Sequence, residues 1–298
     1  MKNEWLVTNG YAEIKDDEIK YIPKTQKNEL GEEKILNAFV SSSIEFENGT
    51  IEFEFQSKDK LGICQLIFNT ETGADLNVGF NTSGFLYGLV KFNNKTNKWD
   101  LLNGVGEPDT FDIKKTYKVK ITVIGSVISL FINNIFVVAG IDNVRKGQLQ
   151  LAFSSTKEMI VKKFKINTLK PKAFIVMQFS DQYNQLYEEV IKPVCEDFGL
   201  EVERADEFYT ATPIIKDIVK SIKEASVIIA EITPDNPNVF YEVGYAHAIN
   251  KPTILLSDKT RGKLPFDISG FRTLFYENSI AGKSAVEKNL KKFLENIF

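Results

Sequence analysis

The sequence predicts two domains of different class, an all-β sandwich over residues 1–168 and an α/β doubly wound parallel sheet over residues 172–298. Three observations lead there. The chain has 298 residues, room for two cores when domains commonly hold about 100 to 200 residues. As far as Asn167, apolar residues alternate with polar ones in short runs, the period of strands with one buried face. Beyond Pro171 the runs are either continuously apolar or repeat every three to four residues, the patterns of parallel strands and of the helices packed on them.

In the first domain the clearest strands are Thr50 to Phe55, Ile63 to Phe68, Tyr117 to Val123 and Gln148 to Phe153. One face of each is expected to be buried and the other wet. At Asn133-Asn134 the pattern reverses, and asparagine tolerates the left-handed backbone that a tight hairpin needs. Many such strands without a convincing helix predict two packed antiparallel sheets. The order of the runs, including Ile128 to Asn134, resembles the concanavalin-like, laminin-G-like jelly-roll family over most of residues 1–168. That resemblance implies a fold whose members often bind carbohydrate or protein. Trp99, Tyr87 and Phe92 are candidates for a sugar platform, although aromatic residues in strands are more often core. No cluster of acidic calcium ligands accompanies them. A recognition or assembly role follows, with a protein or glycan trigger and possible homo-oligomers.

After the junction Lys165 to Lys172, the run Ala173 to Met177 reads as a strand buried on both faces. A helix follows, with Leu186, Val190, Val194 and Phe198 four apart and Gly199 closing it. Next come a strand at Leu200 to Val202, a helix carrying Ile214, Ile215, Ile218, Val219 and Ile222, and a strand at Val227 to Ala230. A helix around Glu242, strands at Thr253 to Leu256 and Thr273 to Tyr276, and a terminal helix complete the order. Strands and helices alternating at this length require parallel strands with right-handed crossovers, a flavodoxin-like sheet.

Composition narrows the function classes. Apolar and charged fractions of 43% and 26% are those of a globular protein, and no apolar run approaches the ~18 residues of a membrane span. A net charge of -3 gives no general attraction to nucleic acid. Lys162, Lys163, Lys165, Lys170 and Lys172 read as a solvated strand edge and linker, without aromatic residues arranged for base stacking. With one histidine, His247, and two distant cysteines, Cys64 and Cys195, neither a metal nor a cofactor is expected, and free thiols fit a cytoplasmic protein.

In an open parallel sheet, ligands bind beyond the carboxyl ends of the strands. Three segments lie there: Gln178-Phe179-Ser180, Arg204 to Glu207, and Glu231 to Glu242. In the third, Asn236 suits the N-cap and Pro237 the first helical position. Asn238 and Glu242 are then four apart and Tyr245 three further on, so the spacing places them on one face, with Val239, Val243 and Ala246 facing the sheet. Side chains lean toward the helix N-terminus, which aims Glu242 at the crevice. As an isolated residue, Glu242 would be an ordinary surface acid near a favourable helix dipole. Its setting among Asn238, Tyr241, Gly244 and Tyr245 favours a functional carboxylate.

The run Ile229-Ala230-Glu231-Ile232-Thr233, followed by Asn236 to Ala248, resembles the nucleoside 2-deoxyribosyltransferase-like superfamily, over about residues 172–298. Phe174 to Phe179, the Arg204 to Glu207 step, Lys251 to Leu256 and Leu264 to Asp267 add to the likeness. In that superfamily the glutamate before Gly-Tyr-Ala is the nucleophile, which carries over to Glu242. The related TIR-like enzymes use a glutamate to cleave the glycosidic bond of NAD. The Asn-Pro-Asn-Val-Phe-Tyr stretch departs from the glycine-rich aspartate motif of true transferases. The resemblance implies an N-glycosidase acting on a nucleoside, nucleotide or NAD-like substrate. Gln178, Asp206, Asp235, Asn238 and Tyr245 are candidates for contacts to ribose or base, and Phe179 and Tyr241 for stacking. Because uncontrolled nucleotide cleavage is toxic, such an enzyme joined to a recognition domain suggests an effector of bacterial antiviral defence. Two alternatives stand beside it, a non-catalytic nucleotide-sensing module and a carbohydrate-binding protein acting through the sandwich.

Overall fold

The computed structural model describes residues 4–27, 31–70, 73–207 and 214–298. It divides into two compact units, Met1–Val123 with Val127–Leu169, and Ile124–Ser126 with Lys170–Phe298.

The first unit is built of β1 (Trp5–Asn9), β2 (Ala12–Lys15), β3 (Glu18–Tyr21), β4 (Thr25–Lys27), β5 (Glu33–Ile35), β6 (Ala38–Phe46), β7 (Gly49–Ser57) and β8 (Ile63–Thr70). It continues with β9 (Gly73–Thr82), β10 (Phe85–Asn93), β11 (Lys98–Val105), β12 (Tyr117–Ile124), β13 (Val127–Ile132), β14 (Ile135–Ile141), β15 (Gly147–Ser154) and β16 (Met159–Thr168). Two seven-stranded sheets result, in the orders β1-β6-β15-β8-β9-β10-β11 and β14-β13-β12-β7-β16-β3-β2, with β4 and β5 as a separate pair. Alternate side chains meet between the sheets, among them Ile51, Phe53 and Phe55 of β7 and Cys64, Leu66 and Phe68 of β8. Phe80 packs 4.6 Å from Phe55 and edge-on to Phe111 and Tyr117, contacts that add to area burial. The hairpin between β13 and β14 turns on Asn133 and Asn134 at φ 52° and 66°, as their side chains predict.

One expectation needs correction. The run Ile63 to Phe68 does not have a wet face, since Gln65 and Ile67 are buried along with Cys64, Leu66 and Phe68. The physical reason is a trough in the outer face of this sheet, into which Gln65 and Ile67 are sunk.

The second unit consists of β17 (Lys172–Val176), α1 (Asp181–Leu186), α2 (Lys192–Asp197), β18 (Glu201–Arg204), α3 (Ile214–Glu224), β19 (Val227–Glu231), α4 (Pro237–Ala248), β20 (Thr253–Asp258), β21 (Thr273–Tyr276) and α5 (Ile280–Glu295). Its strands are all parallel, in the order β18-β17-β19-β20-β21. Residues of α3 and α4 pack on one face around Phe174, Ile228 and Leu255, and those of α1, α2 and α5 on the other around Ile175, Ile229 and Leu256. The chain leaves β17 toward β18 and then crosses to β19 on the opposite side, so the switch point lies at the carboxyl end of β17. The helix expected from Leu186 to Phe198 is interrupted by a π turn at Tyr187–Ile191. Pro193 follows it, and a proline there has no N–H for the preceding turn and crowds its carbonyl, which a widened turn relieves.

Candidate functional site

At the start of α4, the Asn236 side chain accepts from the Asn238 N–H at 3.0 Å, and Pro237 occupies the first turn. This cap fixes where the helix begins and hence which residues face the sheet. Val239, Glu242, Val243 and Ala246 are its buried residues. Glu242 is therefore buried with them, while Asn238 one turn earlier is exposed and Tyr241 is 55% exposed. It sits three residues after Val239 and four before Ala246, within the apolar stripe that the spacing assigned to packing alone. Tyr245 is half-buried against the same core.

Glu242 is 9% exposed, and among the described residues no hydrogen-bond donor or cation meets its carboxyl group. Burial pushes its pKa up to about 7, because removing water disfavours the charged form and no described donor replaces it.

Two arginines organise the surrounding loops. Arg204, at the end of β18, is 6% exposed and grips Asp206 with two hydrogen bonds of 2.6 and 2.5 Å while donating to Asn184 Oδ1 at 3.0 Å. Its guanidinium lies 4.2 Å from the Tyr187 ring centroid and 5.4 Å from that of Phe179. Phe179 itself is half exposed beyond β17, and Gln178 beside it is partly buried. Arg261 reaches back to the loop after β19, donating to the carbonyls of Ile232 and Thr233, the latter at 2.7 Å, and to the Asp235 carboxylate. Asp206 and Asp235, read from sequence as candidate contacts to ribose or base, are thus both engaged by buried guanidinium groups. Such pairs hold loops in one geometry.

A second carboxyl, Glu231, closes β19 and is fully buried. It accepts from the Thr233 N–H at 3.2 Å and hydroxyl, and from the Tyr276 hydroxyl at 3.0 Å. Burial raises its pKa, opposed by those hydrogen bonds. Burial together with the charge of Glu231 raises Tyr276 and Tyr183 as well. Asp258, at the end of β20, is buried and accepts from the Thr260 N–H at 2.8 Å. A cavity of about 200 Å³ opens beside Tyr276, lined also by Gln182, Gln185, Glu189 and Lys283.

Arg204, Arg261 and this carboxyl–phenol network were not picked out in the sequence as functional. Arg204 had a local signal, lying two residues before Asp206 at a strand end. Arg261 had none, since its partners lie 26 to 29 residues earlier. His247 stacks on Phe271 at 3.9 Å between centroids, a packed residue. Among the described residues, no group of His, Cys, Asp or Glu is placed to hold a metal ion, and no helix is long and apolar enough to cross a membrane. Lys162 and Lys163 pair with Glu54, and Lys172 with Glu201 and Glu203, so much of the basic stretch at the junction is paired with carboxylates.

Fold and site together define a protein with an antiparallel jelly-roll sandwich followed by a flavodoxin-like parallel sheet. No family model matches the chain, and no curated protein matches it. Solved structures similar to it include the carbohydrate binding module CBM66 from Bacillus subtilis, at 16% identity over 55% of this chain and 95% of that one, TM-score 0.43. A protein of unknown function with a galectin-like fold from Bacillus subtilis is 13% identical over 55% of this chain and 89% of that one, TM-score 0.40. A β-1,3-1,4-glucanase (lichenase) derived from a mouse hindgut metagenome is 10% identical over 55% and 93%, TM-score 0.39.

Proposed function

We propose that the α/β unit is an N-glycosidase that cleaves the bond between ribose and base in a nucleoside, nucleotide or NAD-like substrate, with Glu242 as nucleophile. The observation that carries this is a buried carboxyl without a hydrogen-bond donor or cation among the described residues, on a helix that begins at the carboxyl ends of a parallel sheet. Structural carboxyls at such depth are hydrogen-bonded, as Glu231 is. The resemblance of the Asn236 to Ala248 run to nucleoside 2-deoxyribosyltransferase-like proteins supports the same role.

In this reading a carboxylate oxygen of Glu242 attacks the anomeric carbon as the carbon–nitrogen bond breaks, and the electron pair leaves with the base. Charge that develops on the sugar is stabilised by the carboxylate and then captured as a glycosyl ester. Water attacks the anomeric carbon, a proton is released to solvent, and the carboxylate is restored. Phe179 and Tyr241, both half exposed, supply ring faces for the base. Arg204 and Arg261 hold the loops on which Asp206 and Asp235 stand.

The test is mass-spectrometric detection of free base after incubation with nucleosides, nucleotides and NAD, with Glu242→Gln as control. Release by the wild type and not by the variant is expected. Equal release by both would sink the enzyme reading, and nucleotide binding without turnover that survives the substitution would replace it with a sensing role.

A further inference from the structure

The parallel sheet ends in β21, which pairs with β20 on one side only. The neighbouring ladder fixes which of its peptide groups face outward. Ile228 N–H donates to the Pro252 carbonyl and Ile232 N–H to that of Leu256, so the even-numbered residues of β20 turn toward β19. Successive residues of a strand direct their main-chain groups to opposite sides, and the odd-numbered ones therefore turn toward β21. Leu255 stands opposite Thr273 and Ser257 opposite Phe275. In that register Leu255 and Ser257 bond to Arg272, Leu274 and Tyr276, and the N–H and C=O groups of Thr273 and Phe275 point away from the sheet.

An edge of this kind is a template for pairing, and folded proteins commonly guard it with charge. The opposite edge is guarded, since β18 carries Glu201 and Glu203, both beside Lys172. β21 is Thr-Leu-Phe-Tyr, without a charge. Leu274 and Tyr276 are buried in the core beneath α5, which leaves Thr273 and Phe275 on the other face, the Phe275 ring 50% exposed. Charge sits at the two ends of the strand, with opposite sign. Arg272 precedes it and Glu277 follows it, both exposed. Glu277 meets Lys259 through Oε1 at 2.8 Å, so its second oxygen can accept from another donor.

These features are self-complementary. Turned antiparallel about a two-fold axis through Leu274, two copies of β21 set Thr273 of each opposite Phe275 of the other. Both are hydrogen-bonded pairs, so every outward group of the two residues is satisfied. The two Phe275 side chains lie diagonally on one face, at the roughly 7 Å that aromatic rings can bridge. Arg272 of each copy comes opposite Tyr276 and next to Glu277 of the other, whereas parallel strands would set Arg272 against Arg272. Each chain offers this edge once, so the contact closes at two copies.

We propose that β21 is a homodimer interface, pairing antiparallel with β21 of a second copy to make one continuous sheet. Four strand residues cover less than the ~800 Å² per partner of a standard interface, so the dimer forms at micromolar concentration.

Sedimentation velocity of the full chain from about 1 to 200 μM should show monomer converting to dimer, with a Kd of tens of micromolar. Phe275→Lys places a charge on the edge, and Thr273→Pro removes an outward N–H without touching the bonds to β20. Each should raise the Kd at least tenfold. Register is read by cross-linking, which stands even if either variant fails to fold. Copies carrying Thr273→Cys, mixed with copies carrying Phe275→Cys, should form disulfide-linked dimers at least tenfold faster than either alone, the native thiols being buried. Glu242→Gln should dimerise as the wild type does, which separates this result from that of the enzyme test. A chain that stays monomeric throughout, a dimer that survives both Phe275→Lys and Thr273→Pro, or mixed copies that cross-link no faster than single ones overturns the proposal.

Discussion

Glu242 couples chemistry to stability at the scale of one residue. Its folded pKa of about 7 lies above the ordinary 4.5, so between those values the folded chain holds a proton that the unfolded chain has released. Stability therefore falls as pH rises from 4.5 to 7, and above pH 7 the full cost of about 3 kcal/mol applies. Glu242→Gln removes the ionisation. Denaturant titrations at several pH values should show the variant and wild type alike below pH 4.5 and the variant more stable above pH 7. A constant difference across that range would show that the carboxyl does not titrate with a raised pKa. For catalysis the carboxylate form is required, so kcat/KM for base release should rise with pH and level off above an inflection near 7. A profile flat from pH 5 to 9 would remove Glu242 as nucleophile. The residue was legible in the sequence through its motif, whereas its burial was not, because burial is set by the whole fold.

Among the elements, α4 shows how far spacing carries. The N-cap at Asn236 and the start at Pro237 follow from local chemistry and stand as read. Spacing by fours joins Glu242 equally to Asn238 and to Ala246, and packing on β19 and β17 buries it with Ala246 while Asn238 stays exposed. Gly244 lies in this helix, exposed, with open space where a Cβ would stand. Glycine there costs about 1 kcal/mol relative to alanine, with no packing reason for it. Gly244→Ala should raise the stability of the α/β unit by about that amount in chemical denaturation. If base release also falls, the ligand passes close to the helix backbone at this point. The first helix makes the complementary case: its apolar spacing hid the π turn, and Pro193 was the only local sign of it.

At the scale of the molecule, the two cores are chemically separate reporters. Cys64 is buried in the sandwich core and Cys195 in the α/β core. Burial pushes the Cys195 thiol up to about 12 and Cys64 well above the usual thiol range, which suppresses the reactive thiolate. Neither should label with a thiol reagent in the native protein. In a denaturant series each should become reactive as its own unit opens, followed by peptide mass spectrometry. Rapid native labelling of either thiol would show that its core opens readily.

The sequence by itself determined the class of each half, since strand and helix periods are local and need only the burial of one face or stripe to appear. It also determined the place of the α4 cap and the carboxyl-end position of Glu242. Only the tertiary structure decided that Asp206 and Asp235 are held by Arg204 and Arg261, that Glu231 is hydrogen-bonded while Glu242 meets no donor among the described residues, and that β8 is buried on both faces over a trough. Each of these depends on groups from distant parts of the chain meeting in space, and hydrogen bonding and desolvation are set by those meetings rather than by the order of residues.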